Sequence, residues 1–362
     1  MLVSGIQLLV LFMVYFRTLL RPRRLDAESS QLDPLSVIVV ARNERENLEQ
    51  LIPLLLEQDY PEFEIIIVDD HSWDGTYEFL HEQLPRDNRL KVVLLDDFVQ
   101  SKPGKKLGLT LGIKKALYEK LVFTDADCRP AGKDWLKCIG ASYTEEKSVV
   151  LGYSPYLSSP SIASPFIQFE AFQVGWTYLS MAQAGRPYMG VGRNMSYKKS
   201  LFLGNKGFAS HLSIPYGDDD LFIQEVATKS NTAVQFVPEA HVFSYPKKSP
   251  GKWFQQKRRH LSAGVKYRPF DKLLLSFFWM SRFAYYSTLV LFLILAPYSI
   301  LSIVIAFVPL LFFWLAAMTM HLRYGFFRLW PLYPLLDILY QCLIYPIFAL
   351  STLLNPVQNK WT

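Results

Sequence analysis

The middle of the chain, residues 34–270, alternates short apolar runs with segments of helical periodicity. One such segment, ERENLEQLIPLLLEQ, places Leu48, Leu51, Ile52 and Leu55 on a single helix face. A second amphipathic helix is predicted for KLGLTLGIKKALYEK. The runs predicted as buried strands are PLSVIVVAR, FEIIIVDD, LKVVLLDD and KLVFTDAD. Strands that alternate with helices predict an α/β fold, in which helices cover a mostly parallel sheet.

The N-terminal end has a different pattern, a long apolar run followed by basic residues. The run Leu2–Phe16 is extendable to Leu20, and the arginines in and after it are Arg17, Arg21, Arg23 and Arg24. A cleaved signal peptide carries its charges before the apolar run, so this order favours a membrane anchor with a cytoplasmic basic flank. We therefore predict a transmembrane helix over residues 1–20, with an interfacial helix as the alternative.

The C-terminal region, residues 273–354, is long enough for about three further transmembrane helices. The stretch 283–320 has no charged residue and fits two spans, and PLYPLLDILYQCLIYPIFALSTLL fits a third. Two passes return the chain to the side of Arg323 and Arg328, in agreement with the positive-inside rule. Asp337 is either a functional carboxylate inside the membrane or, as we favour, a residue at the head-group level.

Composition supports a membrane protein with a cytoplasmic middle domain. Hydrophobic residues make up 51% of the chain and charged residues 19%. The three cysteines show no metal-ligand spacing, and their odd number argues against a disulfide framework. Much of the net charge of +6 comes from the juxtamembrane segment 246–270, a pattern typical of attraction to anionic lipids rather than to nucleic acid.

Acidic residues follow two of the predicted strands. Asp69 and Asp70 come after IIIV, and Asp125 and Asp127 come after LVFT. In extended backbone, residues i and i+2 face the same side, so Asp125 and Asp127 can hold one Mg²⁺ or Mn²⁺. Taken alone, D-x-D is also compatible with a turn rich in aspartate.

Further polar residues occur at the same predicted edge of the sheet. Asn43 and Glu44 follow the first strand, and Lys105 lies in the basic loop KPGKKLGL, where it could meet a phosphate at a helix N-terminus. The loop is not a P-loop, because the G-x-x-x-x-G-K-[ST] spacing is missing. In parallel α/β sheets, ligands bind beyond the carboxyl ends of the strands, so these residues predict one site.

The order of these motifs resembles that of family 2 glycosyltransferases, inverting enzymes with a nucleotide-sugar-binding, Rossmann-like GT-A fold. The matching strings are VIVVARNERENL, DYPEFEIIIVDDHSWDGT, GKKLGLTLGI, FTDADC, GVGRNMSYKK, GDDDLF and QQKRRH, and they cover about residues 34–262. The flanking apolar regions look like those of the membrane-bound relatives of cellulose, chitin and hyaluronan synthases. The resemblance implies a GT-A domain over residues 34–245.

The resemblance also implies roles for individual residues. Asp125 and Asp127 match the D-x-D that holds ribose and the diphosphate-bound metal. Asp219 matches the general base and Asp218 the acid before it, with a register uncertainty of one residue that leaves Asp220 as an alternative. Residues that match nucleotide- or sugar-binding positions are Ala41, Asn43, Glu44, Asp69, Asp70, Gly190, Gly192 and Asn194.

The last motif, QQKRRH, resembles the Gln-x-x-Arg-Trp motif of membrane-bound synthases. Gln256 and Arg259 are the matches, and Arg259 is expected to pair with the diphosphate. His260 replaces the tryptophan that helps to form the acceptor site for a growing polymer, which puts processive synthesis in doubt. His241 is a further candidate metal ligand, although a lone histidine is more often structural.

These expectations combine into one hypothesis about function. The protein is predicted to be a multi-pass enzyme of the bacterial inner membrane. It is predicted to transfer a sugar from a nucleotide sugar to a lipid-linked or glycan acceptor at the cytoplasmic face. The resemblance to the family favours UDP as the nucleotide. A processive polysaccharide synthase is the alternative, and product length would separate the two. A lipid-linked-glycan transporter would need charged groups within its spans, where the sequence has few. A catalytically inactive scaffold fits poorly with acids at every motif.

Overall fold

The computed structural model of the protein describes residues 2–20, 32–95, 104–214, 216–247, 249–295 and 299–354. Arg21, Arg23 and Arg24 of the predicted basic flank lie outside the described residues. The chain divides into two compact units. Within the described residues, the sheet unit comprises 32–157 and 185–245, and the helical unit comprises 2–20, 158–184 and 246–354.

The elements are numbered in chain order. The strands are β1 (Leu35–Ala41), β2 (Phe63–Asp69), β3 (Leu90–Leu94), β4 (Lys120–Phe123), β5 (Cys128–Pro130), β6 (Val149–Gly152), β7 (Met195–Lys198), β8 (Thr232–Gln235) and β9 (Val242–Ser244). The helices are α1 (Leu2–Leu20), α2 (Arg45–Leu56), α3 (Thr76–Gln83), α4 (Lys105–Lys115), α5 (Trp135–Gly140), α6 (Ser164–Gln183), α7 (Lys199–Gly204), α8 (Asp220–Val226), α9 (Pro250–Gly264), α10 (Pro269–Leu295), α11 (Ile300–Tyr324), α12 (Tyr333–Leu339) and α13 (Tyr345–Leu354).

The sheet unit confirms the predicted α/β fold. Among the described residues, seven strands form one sheet in the order β3-β2-β1-β4-β7-β6-β8, and β5 pairs with β9 separately. Strands β1 to β4 are parallel, and β7 is antiparallel to both of its neighbours. Every residue of β1 and β2 is buried, which explains why these strands appear in the sequence as continuous apolar runs.

Helices α2 and α4 pack on the sheet in different ways. The buried residues of α2 are the four that periodicity predicts, Leu48, Leu51, Ile52 and Leu55. In α4, glycine allows close approach, because a Cβ at Gly108 would lie 2.8 Å from a methyl group of Val40.

The predicted extension of α4 to residue 120 is wrong. The helix ends at Lys115, and the next free backbone donors are taken by side chains from the sheet. The N–H of Leu117 donates to the buried Glu64 at 2.6 Å, and that of Tyr118 donates to Ser36 Oγ at 3.2 Å. These side-chain acceptors replace the helical carbonyls, so the chain turns into β4.

The helical unit contains three helical segments that are long and apolar enough to cross a membrane. Among the described residues they are Pro269–Leu295, Ile300–Tyr324 and Trp330–Thr352, and Leu2–Phe16 is a shorter apolar stretch. The third segment runs through α12 and a π-helical turn at Tyr340–Ile344 into α13. Helix α6, from the middle of the chain, belongs to the same unit.

A polar network is buried in the helical unit. Asp337 is 0% exposed. An Arg282 Nη1 lies 3.4 Å from its carboxylate, and the Tyr286 hydroxyl donates to it at 2.5 Å. The same Arg282 nitrogen donates to Gln173 of α6 at 3.1 Å. The network therefore connects α6, α10 and α12.

Candidate active site

The carboxyl ends of β1 and β2 carry the first group of predicted residues. Ala41 and Asp69 are register partners, and the N–H of Asp70 donates to the Ala41 carbonyl at 2.8 Å. Asp69 and Asp70 are buried, and each has one carboxylate oxygen without a hydrogen-bond partner among the described residues. Burial raises the pKa of Asp69, and the Asp74 and Asp70 carboxylates add to that rise. A ligand with N–H or O–H donors would satisfy these acceptors.

The turn after β1 is bound to the turn after β2. Asn43 adopts a left-handed φ of 55°, which asparagine tolerates better than most residues. Its N–H donates to Ser72 Oγ at 2.8 Å, and its side-chain oxygen accepts from the N–H of Trp73 at 2.9 Å. The Glu44 N–H donates to Thr76 Oγ1 at 3.2 Å. A cavity of about 490 Å³ opens beside these turns, lined by Asn43 and Glu44 among others.

Lys105 connects the acids after β4 to the acids before α8. It is the first residue of α4, and its Nζ lies 2.7 Å from Asp125 Oδ1 and 3.5 Å from Asp218 Oδ2. Burial alone would lower the pKa of Lys105, but Asp125, Asp218 and Asp219 raise it well above its ordinary value. The ammonium group is therefore charged at neutral pH and is held among carboxylates from two different loops.

Asp219 is held by backbone donors at the start of α8. Its Oδ2 accepts from the N–H of Gly192 at 2.9 Å, and its Oδ1 accepts from the N–H of Asp220 at 2.8 Å. Burial raises the pKa of Asp219 to about 6, and the charge of Asp218 contributes, while Lys105 and the two N–H groups oppose the rise. The result is a carboxylate that is ionised at neutral pH yet basic enough to accept a proton.

Gly192 lies where these groups converge. A Cβ placed on it would be 3.4 Å from both Asp219 Oδ2 and Lys105 Nζ, so the glycine leaves open the space between them. The structure thus brings Gly192, Lys105, Asp125, Asp218 and Asp219 together in the sheet unit. These residues come from four separate stretches of the sequence.

Asn194 and Gly190 fix the turn that carries Gly192. The Asn194 amide nitrogen donates to the carbonyls of Tyr153 and Ala240 at 2.7 and 2.9 Å, and its oxygen accepts from Trp135 Nε1 at 3.1 Å. A Cβ on Gly190 would lie 3.1 Å from Leu151, so this glycine packs closely on the core. Asn194 is fully buried, which supports a framework role for its side chain.

Residues 36–200 match the family model described as Glycosyl transferase family 2. The chain contains a family 2 glycosyltransferase domain. The match includes Asp69, Asp125 and Gly192, whereas Asp218 and Asp219 lie beyond its end.

Two curated relatives show which proteins share this glycosyltransferase domain. Poly-beta-1,6-N-acetyl-D-glucosamine synthase of Staphylococcus epidermidis is 35% identical over 101 residues, which are 28% of this chain and 23% of that protein. Glycosyltransferase AglE of Haloferax volcanii is 30% identical over 111 residues, which are 30% of this chain and 35% of that protein. The similarity therefore spans about a quarter to a third of each relative's length.

A solved structure shows the fold. Mannosyltransferase PcManGT from Pyrobaculum calidifontis, in complex with GDP-Man and Mn²⁺, matches with a TM-score of 0.61 and 17% identity. The match covers 98% of each of the two chains. The glycosyltransferase domain has the GT-A fold that the resemblance implies.

The acids after β4 form a group that could hold a metal ion. Ligand atoms of Asp125, Asp127 and Cys128 lie within 4.8 Å of one another. Cys128 is buried, and burial raises the pKa of its thiol, so it stays protonated and is a poor ligand. The two carboxylates that remain are hard oxygen donors, and they fit Mg²⁺ or Mn²⁺ better than a soft metal.

Three predicted residues have other surroundings. Gln256 and Arg259 both lie on α9, which belongs to the helical unit. His241 is buried against the Tyr153 ring with its Nε2 3.2 Å from the Phe236 carbonyl, and burial lowers its pKa to about 4. The group of potential metal ligands among the described residues does not include it.

Sequence reasoning did not single out Lys106 or Arg193. Lys106 is buried and donates to two backbone carbonyls in the segment before Asp218. Arg193 donates to the Tyr156 hydroxyl at 2.7 Å and to the Ser154 carbonyl at 3.2 Å. Arg193 lies inside the motif GVGRN, so the sequence does offer a signal for it. Lys106 has no such signal, because its partners are about a hundred residues away in the chain.

Proposed function

We propose that the protein is a membrane-bound inverting glycosyltransferase that moves one sugar from a nucleotide sugar to a hydroxyl of a lipid-linked or glycan acceptor. The observation that carries this proposal is the arrangement of Asp219. Its carboxylate is oriented by the Gly192 N–H at 2.9 Å, has a pKa of about 6, and lies near Lys105, which binds Asp125. A base and a donor-binding acid are thus linked through one lysine.

The donor is proposed to lie along the ends of β1, β2 and β4. Asp69 and Asp70 offer buried carboxylate oxygens that suit the N–H groups of a base or the hydroxyls of a ribose. Asn43 and Glu44 would border the same nucleotide. UDP is the nucleotide we propose, and the GDP-Man bound by PcManGT makes GDP the first competitor to test.

Asp125 and Asp127 are proposed to hold the metal, which would neutralise negative charge on the diphosphate when bound. Lys105 is proposed to stabilise the same diphosphate, and its contact with the Asp125 carboxylate supports this role. For Arg259 and Gln256, on α9 of the helical unit, the diphosphate-binding role stays a prediction from the motif resemblance.

The reaction at the acceptor follows from the properties of Asp219. At neutral pH its carboxylate is ionised and can take the proton of the acceptor hydroxyl. The acceptor oxygen forms a bond to the anomeric carbon while the bond to the diphosphate oxygen breaks. The electron pair leaves with the nucleoside diphosphate, and attack opposite the leaving group inverts the anomeric configuration.

The acceptor is proposed to come from the membrane. Three helical segments are long and apolar enough to span a bilayer, and the basic segment 246–270 precedes them. We propose that α1 is a fourth span and that the glycosyltransferase domain faces the cytoplasm, where nucleotide sugars are made. A lipid-linked acceptor could then reach the domain by lateral diffusion.

Variants of the two acids test the proposal. Purified protein in detergent is given a panel of UDP- and GDP-sugars with a membrane lipid extract, with and without Mn²⁺. Release of nucleoside diphosphate and labelling of lipid are both measured. We expect Asp127→Ala and Asp219→Ala to lose turnover by at least about a hundredfold. Asp134→Asn, at an exposed aspartate, is the matched control. Wild-type turnover in both variants would exclude the proposed site.

A processive polysaccharide synthase is the second candidate, because the relative from Staphylococcus epidermidis is named as a synthase of poly-beta-1,6-N-acetyl-D-glucosamine. The replacement of the motif's tryptophan by His260 favours single transfer. The length of the labelled product separates the two functions, since a ladder of long chains would indicate a synthase.

A further inference from the structure

Two adjacent lysines at the start of α4 have different partners. Lys105 faces the acids Asp125 and Asp218, whereas Lys106 is buried and faces backbone. The Lys106 ammonium donates to the carbonyl of His211 at 2.6 Å and to that of Ile214 at 2.8 Å. An ammonium with two charge-assisted hydrogen bonds to one short segment holds that segment firmly.

The segment held by Lys106 is the connection between α7 and the acids before α8. It begins with two left-handed residues, Lys206 and Gly207, and Gly217 is again left-handed just before Asp218. These positive φ values, 60°, 62° and 81°, allow the chain to reverse direction at both ends. The position of Asp218 and Asp219 therefore depends on how the connecting segment is fastened.

Two other sets of contacts hold this segment, and one of them reaches His211, whose Nδ1 lies 3.1 Å from Glu225 Oε1. The Phe208 ring packs against Phe202 and Phe222, at centroid distances of 5.0 and 5.7 Å. Glu225 of α8 accepts hydrogen bonds from Asn205 at 2.8 Å and from Ser210. The carbonyls of His211 and Ile214 lie closer to the acids in the chain, and both are bound to Lys106.

The charge of Lys106 also acts on the acids. Burial lowers the pKa of Lys106 to about 8, while Asp218, Asp219 and Glu225 oppose that decrease. His211, next to Lys106 in the fold, has a pKa lowered by burial and by the Lys106 charge. Lys106 is thus protonated at neutral pH, and its positive charge favours the ionised form of Asp219.

We propose that Lys106 is a positioning residue that fastens residues 211–214 to the start of α4 and so places Asp218 and Asp219 beside Lys105. This inference rests on the proposed role of Asp219 as the base. Because Lys105 and Lys106 are neighbours in α4, one helix end holds both the acids and the segment that leads to them. The donor acids Asp69 and Asp70 do not take part in this arrangement.

Three variants test the proposal. Lys106→Met removes both the donors and the charge, Lys106→Arg keeps them, and Lys115→Met is the control at an exposed lysine of the same helix. For Lys106→Met we expect kcat to fall by roughly tenfold to a hundredfold, because a small misplacement of a base is costly. The donor KM should stay within about twofold, since uniform binding of the nucleotide is untouched. Lys106→Arg should recover most of the activity.

The pH profile separates positioning from general loss of stability. Without the Lys106 charge, the acid limb of kcat/KM should move to higher pH, whereas a merely destabilised enzyme keeps the wild-type limb. Lys115→Met should leave the limb in place. If Lys106→Met fails to bind nucleotide, Lys106→Gln, which keeps a donor without the charge, takes its place.

Hydrogen–deuterium exchange gives a readout that does not need turnover. Peptides covering 206–214 should exchange faster in Lys106→Met than in wild type, with or without a known acceptor. Faster exchange in a protein without transferase activity would support the fastening and refute the proposed function. Exchange, kcat and pH profile equal to those of Lys115→Met would overturn the role of Lys106.

Discussion

Removing one partner of the buried pair Arg282 and Asp337 should destabilise the helical unit strongly, and removing the second partner as well should add little further loss of stability. Its nitrogen and oxygen lie 3.4 Å apart, and both side chains are almost completely buried. At an effective dielectric constant of about 20, that separation corresponds to an attraction of about 5 kcal/mol. Tyr286 and Gln173 satisfy further positions around the pair, and the Arg282 guanidinium lies 4.2 Å from the centre of the Phe313 ring.

Removing one partner leaves the other charge buried without compensation. We therefore expect Asp337→Leu and Arg282→Met each to lower the free energy of unfolding by about 3–5 kcal/mol. The double variant Arg282→Met/Asp337→Leu should lose much less than the two single losses added together, because it removes both desolvation penalties, although Tyr286 and Gln173 lose their partners. The coupling energy of the cycle would then be several kcal/mol, well above that of ordinary hydrogen bonds between membrane helices.

The measurement is equilibrium unfolding in mixed detergent micelles, with the fraction folded followed as SDS is titrated in. Leu335→Ala, at an exposed position of α12, is the control for a change in the same helix. Single variants as stable as Leu335→Ala would refute the reasoning. So would a double variant in which the two single losses add, because additivity would mean that the charges do not interact.

Two further predictions concern the sheet unit. Because Asp219 must be ionised to act as a base and its pKa is raised to about 6, kcat/KM should be largely developed at pH 7 and decline as the pH falls through about 6; a profile that is flat from pH 5 to 7 would contradict its role. Gly108→Ala should destabilise the sheet unit by about 1–3 kcal/mol, because the added Cβ would lie 2.8 Å from Val40 and must push α4 off the sheet. Gly132→Ala, which would meet nothing within 4 Å, is its control in thermal denaturation, and equal melting temperatures would argue against close packing of α4.

Much of the sheet unit could be predicted from local sequence patterns. Strands β1, β2 and β4 are short apolar runs because helices cover both faces of a parallel sheet, so burial is continuous along each strand. The acids that follow these strands must meet at one edge, because parallel strands end on the same side. The end of α4 was not predictable from its own sequence. The side chains that accept from the N–H groups after it, Glu64 and Ser36, lie on β2 and β1.

Local sequence patterns are enough to predict the alternation of strands and helices, the apolar ends, and the types of side chain at the carboxyl edge of the sheet. These properties follow from periodicity and chain direction, which are local. Three features depend on long-range packing instead: α6 packs with the terminal helices, Asp337 pairs with Arg282, and Lys106 binds the carbonyls of His211 and Ile214. Such pairs are far apart in the chain, and a buried charge does not show in its own sequence neighbourhood which partner will neutralise it.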